Sequence, residues 1–197
     1  MPMRAATRRV PVFATVVVAA AVATMIALGF WQLQRRAEKE ALLAQYARAA
    51  TVGSEVAWPL APEDYPRSLY RHAQIDCASV AAVGAVAGRS QGGKAGWAHV
   101  ARCRLAGGGE AAVALGWSDR PRSPQWRSGT VRGMVGPAGK GIRLVAFPPQ
   151  AGLAPLAVPD PGAIPNNHLS YAVQWFAFAA TALVIYALAL RKRRQGR

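Results

Sequence analysis

Two long stretches without a single charge constrain this chain more than anything else in it. Residues 10–34 are 25 uncharged positions between Arg9 and Arg35, and residues 169–190 are 22 more before Arg191. A helix of roughly 20 apolar residues crosses the roughly 30 Å hydrocarbon core of a bilayer, so each stretch can span one. A fully soluble enzyme and a disordered basic tail are both excluded, because neither carries two such windows. The formal net charge of +15, from 24 Lys+Arg against 9 Asp+Glu, has to be read in that light. A nucleic-acid binder spreads its cations over a binding face. Here they are confined outside the two windows, so the expected surroundings are membrane lipids and no nucleic acid.

The first window places a transmembrane helix at residues 10–32. A cleaved secretory signal is the rival, but its apolar region runs only about 7–15 residues. The window also ends on Phe30-Trp31, an aromatic pair suited to the membrane interface, so an uncleaved anchor is expected. The second window places a transmembrane helix at 167–190, closed by Arg191-Lys192-Arg193-Arg194. The tails 1–9 and 191–197 hold 3 and 5 cations and no acid, against Arg35, Arg36, Lys39 and Arg48 beside the intervening segment. The positive-inside rule then puts both termini in the cytoplasm and the middle of the chain outside it. Nine residues before the first span are too few for a mitochondrial presequence. The bacterial inner membrane is therefore expected, with the folded part in the periplasm. There a Cys77–Cys103 disulfide is permitted, although two buried thiols fit the sequence equally well.

Residues 33–50 have no Gly or Pro and are rich in helix formers. Leu33, Ala37, Ala41, Ala44 and Ala47 recur at helical spacing, which predicts a helical extension of the first span. Trp58-Pro59, Ala61-Pro62 and Tyr65-Pro66 break it. Short runs follow at Leu69–Ile75, Val80–Ala87, Trp97–Leu105, Ala111–Trp117, Thr130–Val135 and Ile142–Phe147, separated by Gly or Pro. Gly107-Gly108-Gly109 signals a hairpin, and Ala111, Val113, Leu115 and Trp117 alternate on one strand face. Residues 51–165 thus read as a β-rich domain whose proline-rich end, 148–165, is a stiff return linker. The expected class is an α+β membrane protein, with two transmembrane helices flanking a compact antiparallel sheet or barrel-like extracytoplasmic domain.

No enzyme is expected. The nine acids form no spaced pair for acid–base work, and there is no Gly-x-Ser-x-Gly elbow, phosphate loop or His-Glu-x-x-His. Of the three histidines, His72 and His99 fall on strands and are expected to face solvent or pack at an edge. His168 stands at the outer mouth of the second span after Asn166-Asn167, where an Asn can cap the helix. It is read either as an ordinary interfacial polar residue or as a ligand. Phe30 and Trp31 on the first helix, and Tyr171, Trp175 and Phe178 on the second, form an aromatic belt that would also serve as a wall for a flat apolar macrocycle. Arg35 and Arg36 lie at the same level. An axial imidazole, an apolar slot and a cation for the propionates are the parts a haem requires.

The residues also match a known family. GFWQLQRRAEKEALLAQ resembles the Gly-x-Trp-Gln…Arg…Lys opening of the surfeit locus protein one family of cytochrome c oxidase assembly proteins. GGKAGWAHVARCRLAGGGEAAVALGWSDRP and GTVRGMVGP are similar to its hairpin and strand stretches. PNNHLSYAVQWFAFAATALVIYALALRKRR is similar to its second span almost throughout. Two departures stand out. Leu115 occupies the place of the family's Arg before Gly-Trp, and the stretch before Pro165 is shorter. The resemblance implies a haem-copper oxidase assembly factor that holds haem a for insertion into oxidase subunit I, working beside the haem a synthase. It also implies that His168 contacts the haem iron; the residues near the ends of the two spans then put Tyr171, Trp175, Trp31, Arg35 and Arg36 around the cofactor. An assembly chaperone for subunit I without haem, and an unrelated membrane-anchored periplasmic binding module, are the alternatives.

Overall fold

The computed structural model describes residues 11–195; the expected tail at 1–9 lies outside the described residues. The contacts divide the chain into two compact units. One comprises the residues up to Leu42 together with those from Pro165 on, and the other is Leu43–Ile164.

In the first unit, α1 (Val12–Thr51) contributes its apolar part and α3 (His168–Arg194) lies beside it. Both helices are long and apolar enough to cross a membrane. At about 1.5 Å per residue, the 40 residues of α1 extend about 60 Å, twice a bilayer core. The two helices run antiparallel. The Thr15 and Tyr186 hydroxyls meet near one end, and the Phe30 and Phe176 rings pack edge to face at 5.4 Å near the other. Thr15, Val22 and Gly29 recur every seven residues on α1, as do Ala172, Ala179 and Tyr186 on α3. A seven-residue interval returns to the same helical face, and Val22, Gly29, Ala172 and Ala179 are the buried positions. Small residues let the backbones close up. A Cβ on Gly29 would sit 2.6 Å from the Phe176 ring.

In the second unit, β1 (Glu55–Val56), β2 (His72–Arg89), β3 (Ala95–Leu105), β4 (Glu110–Ser118), β5 (Gly129–Ala138) and β6 (Gly141–Ala146) form one sheet. The order is β1-β2-β3-β4-β6-β5, with β2 pairing also to β5. The expected antiparallel sheet is corrected to a mixed one, because β1–β2 and β4–β6 are parallel. The two runs at Leu69–Ile75 and Val80–Ala87 belong to one strand. Register shifts at Cys77/Ser79 and Val80/Ala82 carry β2 from β5 on its first half to β3 on its second. The Gly107–Gly109 turn is a hairpin as read, with Gly108 and Gly109 at positive φ.

Trp117 does not share a face with Ala111, Val113 and Leu115. A register shift opposite His99/Val100 leaves Leu115 as an extra residue on β4, and a bulge inverts the alternation beyond it. Leu115 stays in the main core with Val113, Val131, Val135 and Leu144, whereas Trp117 joins Ala98, Ala114, Val145 and Leu156. Cys77 and Cys103 are joined as a disulfide inside the main core.

The proline-rich segment expected as a stiff return linker, residues 148–165, is tied to the sheet. Backbone hydrogen bonds tie Gln150 to Leu115, Ala154 to Trp117, Pro155 to Gln91 and Ala157 to Arg89, so the segment straps down the sheet. The α1 extension also differs in detail from the expected stripe. Ala37, Ala41, Ala44 and Ala47 are exposed, and Leu33, Arg36, Lys39, Leu43, Tyr46, Ala49 and Ala50 are the partly buried positions. Tyr46 meets the buried Tyr70 ring at 5.0 Å. A larger ring displaces a row of small methyl groups as the packing face.

Candidate functional site at the His168 end of the helix pair

The helix pair sets His168, the first residue of α3, half-buried against α1. Its Nδ1 lies 2.7 Å from Oε1 of Gln32. A carboxamide oxygen only accepts, so Nδ1–H donates to Gln32 and Nε2 is the ring nitrogen left outside that bond. Neither asparagine caps the helix through its side chain as expected. Asn167 holds the N-cap position without a side-chain bond, and Asn166 Oδ1 is buried without a partner.

The aromatic residues divide. Trp175 and Phe178 pack edge to face at 6.2 Å on α3. Tyr171 and Phe178 remain half exposed, as does Trp31 on α1. The Arg35 guanidinium stands 5.7 Å from the Trp31 ring centre and pairs with Glu38 at 2.8 Å. Arg36 pairs with Glu40 at 2.7 Å. Among the described residues no hydrogen bond or ion pair joins Trp31, Arg35 or Arg36 to His168. Both arginines are held by solvent-exposed acids on their own helix, contacts worth about 0–1 kcal/mol, so either can exchange its partner for another carboxylate at small cost.

The residue that sequence reading passed over is Gln32. The signal was present: a carboxamide at the end of an apolar span, directly after Phe30-Trp31, has to find a polar partner or reach water. Gly29 beside Phe176 controls how closely that end of the pair can approach. Gly29→Leu is expected to part α1 from α3 there. A Gln32→Cys/His168→Cys pair should form a disulfide in the otherwise native chain and lose most of that cross-link in the Gly29→Leu background.

The other two histidines lie in the β unit. His72 is half-buried at the start of β2. His99 is fully buried, not at an edge, because its cross-strand neighbours Ala85 and Gly116 leave room for a ring. Its Nε2 is 2.8 Å from Ser118 Oγ. That hydroxyl donates to the Arg120 carbonyl, so it accepts from His99. Burial pushes the His99 imidazole below its usual 6.5. The unfolded chain therefore takes up a proton first, and stability is complete above about pH 6.5 and lost as the pH falls toward the folded-state value. Thermal melts should shift downward between pH 7.5 and 5, and the shift should shrink in His99→Gln; a flat wild-type profile would sink the assignment.

Among the described residues no three His, Cys, Asp or Glu side chains gather as a metal-binding group. What the helix pair carries is an imidazole held by Gln32, with exposed rings and two exposed guanidinium groups elsewhere on the same two helices. These features define a protein of two apolar helices bracketing a small mixed β unit. The SURF1 family model matches residues 19–180, most of the chain, and the chain belongs to the SURF1 family. That family is membrane-associated, and its members are assembly factors rather than catalysts, associated with cytochrome oxidase assembly. No curated protein matches the chain.

Proposed function

We propose that this protein holds haem a for insertion into subunit I of a haem-copper oxidase, receiving it from the haem a synthase, with His168 Nε2 as ligand to the iron. The observation that carries the proposal is the Gln32–His168 hydrogen bond. A metal-bound histidine usually donates its other ring N–H to an acceptor that fixes its orientation, and Gln32 is placed to do this. Tyr171, Trp175 and Trp31 would cover the apolar macrocycle, and Arg35 and Arg36 would exchange their exposed acids for its propionates. The haem is cargo, so one axial nitrogen is enough for capture and weak enough for release.

The same reading places both termini in the cytoplasm of a bacterium and residues 51–165 in the periplasm. The Cys77–Cys103 bridge supports this, since disulfides persist in oxidising compartments, as does the cationic stop after Leu190.

The test is an absorbance spectrum of the full-length protein, purified in mild detergent from cells that make haem a. Haem a bands are expected. Their absence, with oxidase haem content unchanged in a His168 variant, would leave the chaperone without haem as the function. Neutralising both arginines (Arg35→Gln, Arg36→Gln) should weaken haem retention several-fold while membrane insertion proceeds, because the tail cations still set orientation. Unchanged retention would count against propionate pairing.

A further inference from the structure

The outer edge of β2 is covered at its ends and open between them. β3 occupies one side of the strand from Cys77 to Arg89. On the other side β5 covers His72–Cys77, and the 148–165 strap reaches Arg89–Gln91. Over Ala78–Gly88 no strand pairs with that side among the described residues. Alternate residues there present N–H and C=O groups to the open side, a row that another extended backbone satisfies. Protein edges of this kind are commonly blocked by charge, proline or bulges. The segment ASVAAVGAVAG has neither charge nor proline, and its two register shifts end at Ala82, leaving Ala82–Arg89 regular. Ala82, Gly84, Val86 and Ala87 are exposed.

The side chains favour one occupant. An antiparallel copy of the same strand, centred on Ala85, sets Ala82 opposite Gly88 and Gly84 opposite Val86. Every facing residue is small and uncharged, and the two Arg89 side chains fall at opposite ends. The bulges before Ala82 bend each strand just where a straight continuation would meet the other copy's strap. A twofold axis makes the contact self-complementary. We infer that two copies of this chain pair through the open edge of β2, antiparallel over Ala82–Gly88.

The full-length protein tests this in native membranes. Cys77 and Cys103 bond each other, so an Ala85→Cys thiol is free to react with its symmetry mate. Mild oxidation should give a disulfide-linked species of twice the 20.8 kDa chain, and Lys140→Cys in the β5–β6 turn should give none. A Cβ added at Gly84 meets nothing within 4 Å, so Gly84→Lys should melt like the native protein. In detergent, light scattering should then find the protein mass halved from two chains to one. Val86→Lys serves the same purpose if Gly84→Lys folds poorly. Three results would overturn the inference: no Ala85→Cys cross-link in native membranes, a cross-link to a different protein, or a dimer that survives the lysine.

Discussion

Replacing His168 by alanine is expected to strip haem a from the purified protein and to lower the haem a content of the oxidase in the same cells. The effect is expected to be large because the proposed site has no second histidine among the described residues of the helix pair. His168 is the only histidine of the helix pair within the described residues, and no other metal-ligating cluster lies among them. Gln32→Leu separates orientation from ligation. It leaves the imidazole in place and removes only the acceptor of Nδ1–H. Loss of such an outer partner typically costs about 10–100-fold in affinity. The expected order of haem retention is therefore native chain, then Gln32→Leu, then His168→Ala, with restoration by Gln32→Glu, which keeps an acceptor oxygen. If Gln32→Leu retains haem as the native chain does, the hydrogen bond does not hold the ligand and the proposed geometry fails. If His168→Ala retains it, haem binds elsewhere.

Leu115→Arg is the second large effect, and it acts on stability. The resemblance that suits the rest of the chain would place an arginine here. Leu115 is fully buried in the main core. The buried polar residues among those described are Ser68 and His99, so no buried acid is available as a counter-ion. An uncompensated buried charge costs about 3–5 kcal/mol, against a typical total stability of about 5–15 kcal/mol for a domain. The variant should lose most of its cooperative unfolding transition in urea or fail to accumulate. Leu115→Met, of similar volume, should lose less than about 1.5 kcal/mol. An arginine variant unfolding at nearly the native urea concentration would show that the bulge opens to let the charge reach water.

Much of the architecture was legible because its signals are local or compositional. Charge-free windows need no tertiary contact to be recognised: α1 begins two residues into the first window and α3 one residue before the second, although both helices run on past the windows' ends, to Thr51 and Arg194. Turn chemistry at Gly107–Gly109 likewise acts over a few residues. The β unit was read less well where one element's geometry depends on another's. Two short runs became the single strand β2 because its bulges let it serve two partners. The alternation ending at Trp117 failed at a bulge that only the pairing with β3 reveals. His99 went inside because Ala85 and Gly116, residues far from it in sequence, make room.

The candidate site divides along the same line. Sequence alone determined that the chain carries two apolar helices, that His168 stands at the outer mouth of the second, and that rings and arginines cluster near the ends, since each follows from residue type and short-range periodicity. Only the tertiary structure decided that Gln32 is the partner of His168 and that Cys77 reaches Cys103. The first depends on a distance between residues 136 positions apart, set by how closely small residues such as Gly29 and Ala172 let two backbones approach, and the second on the register of β2 with β3.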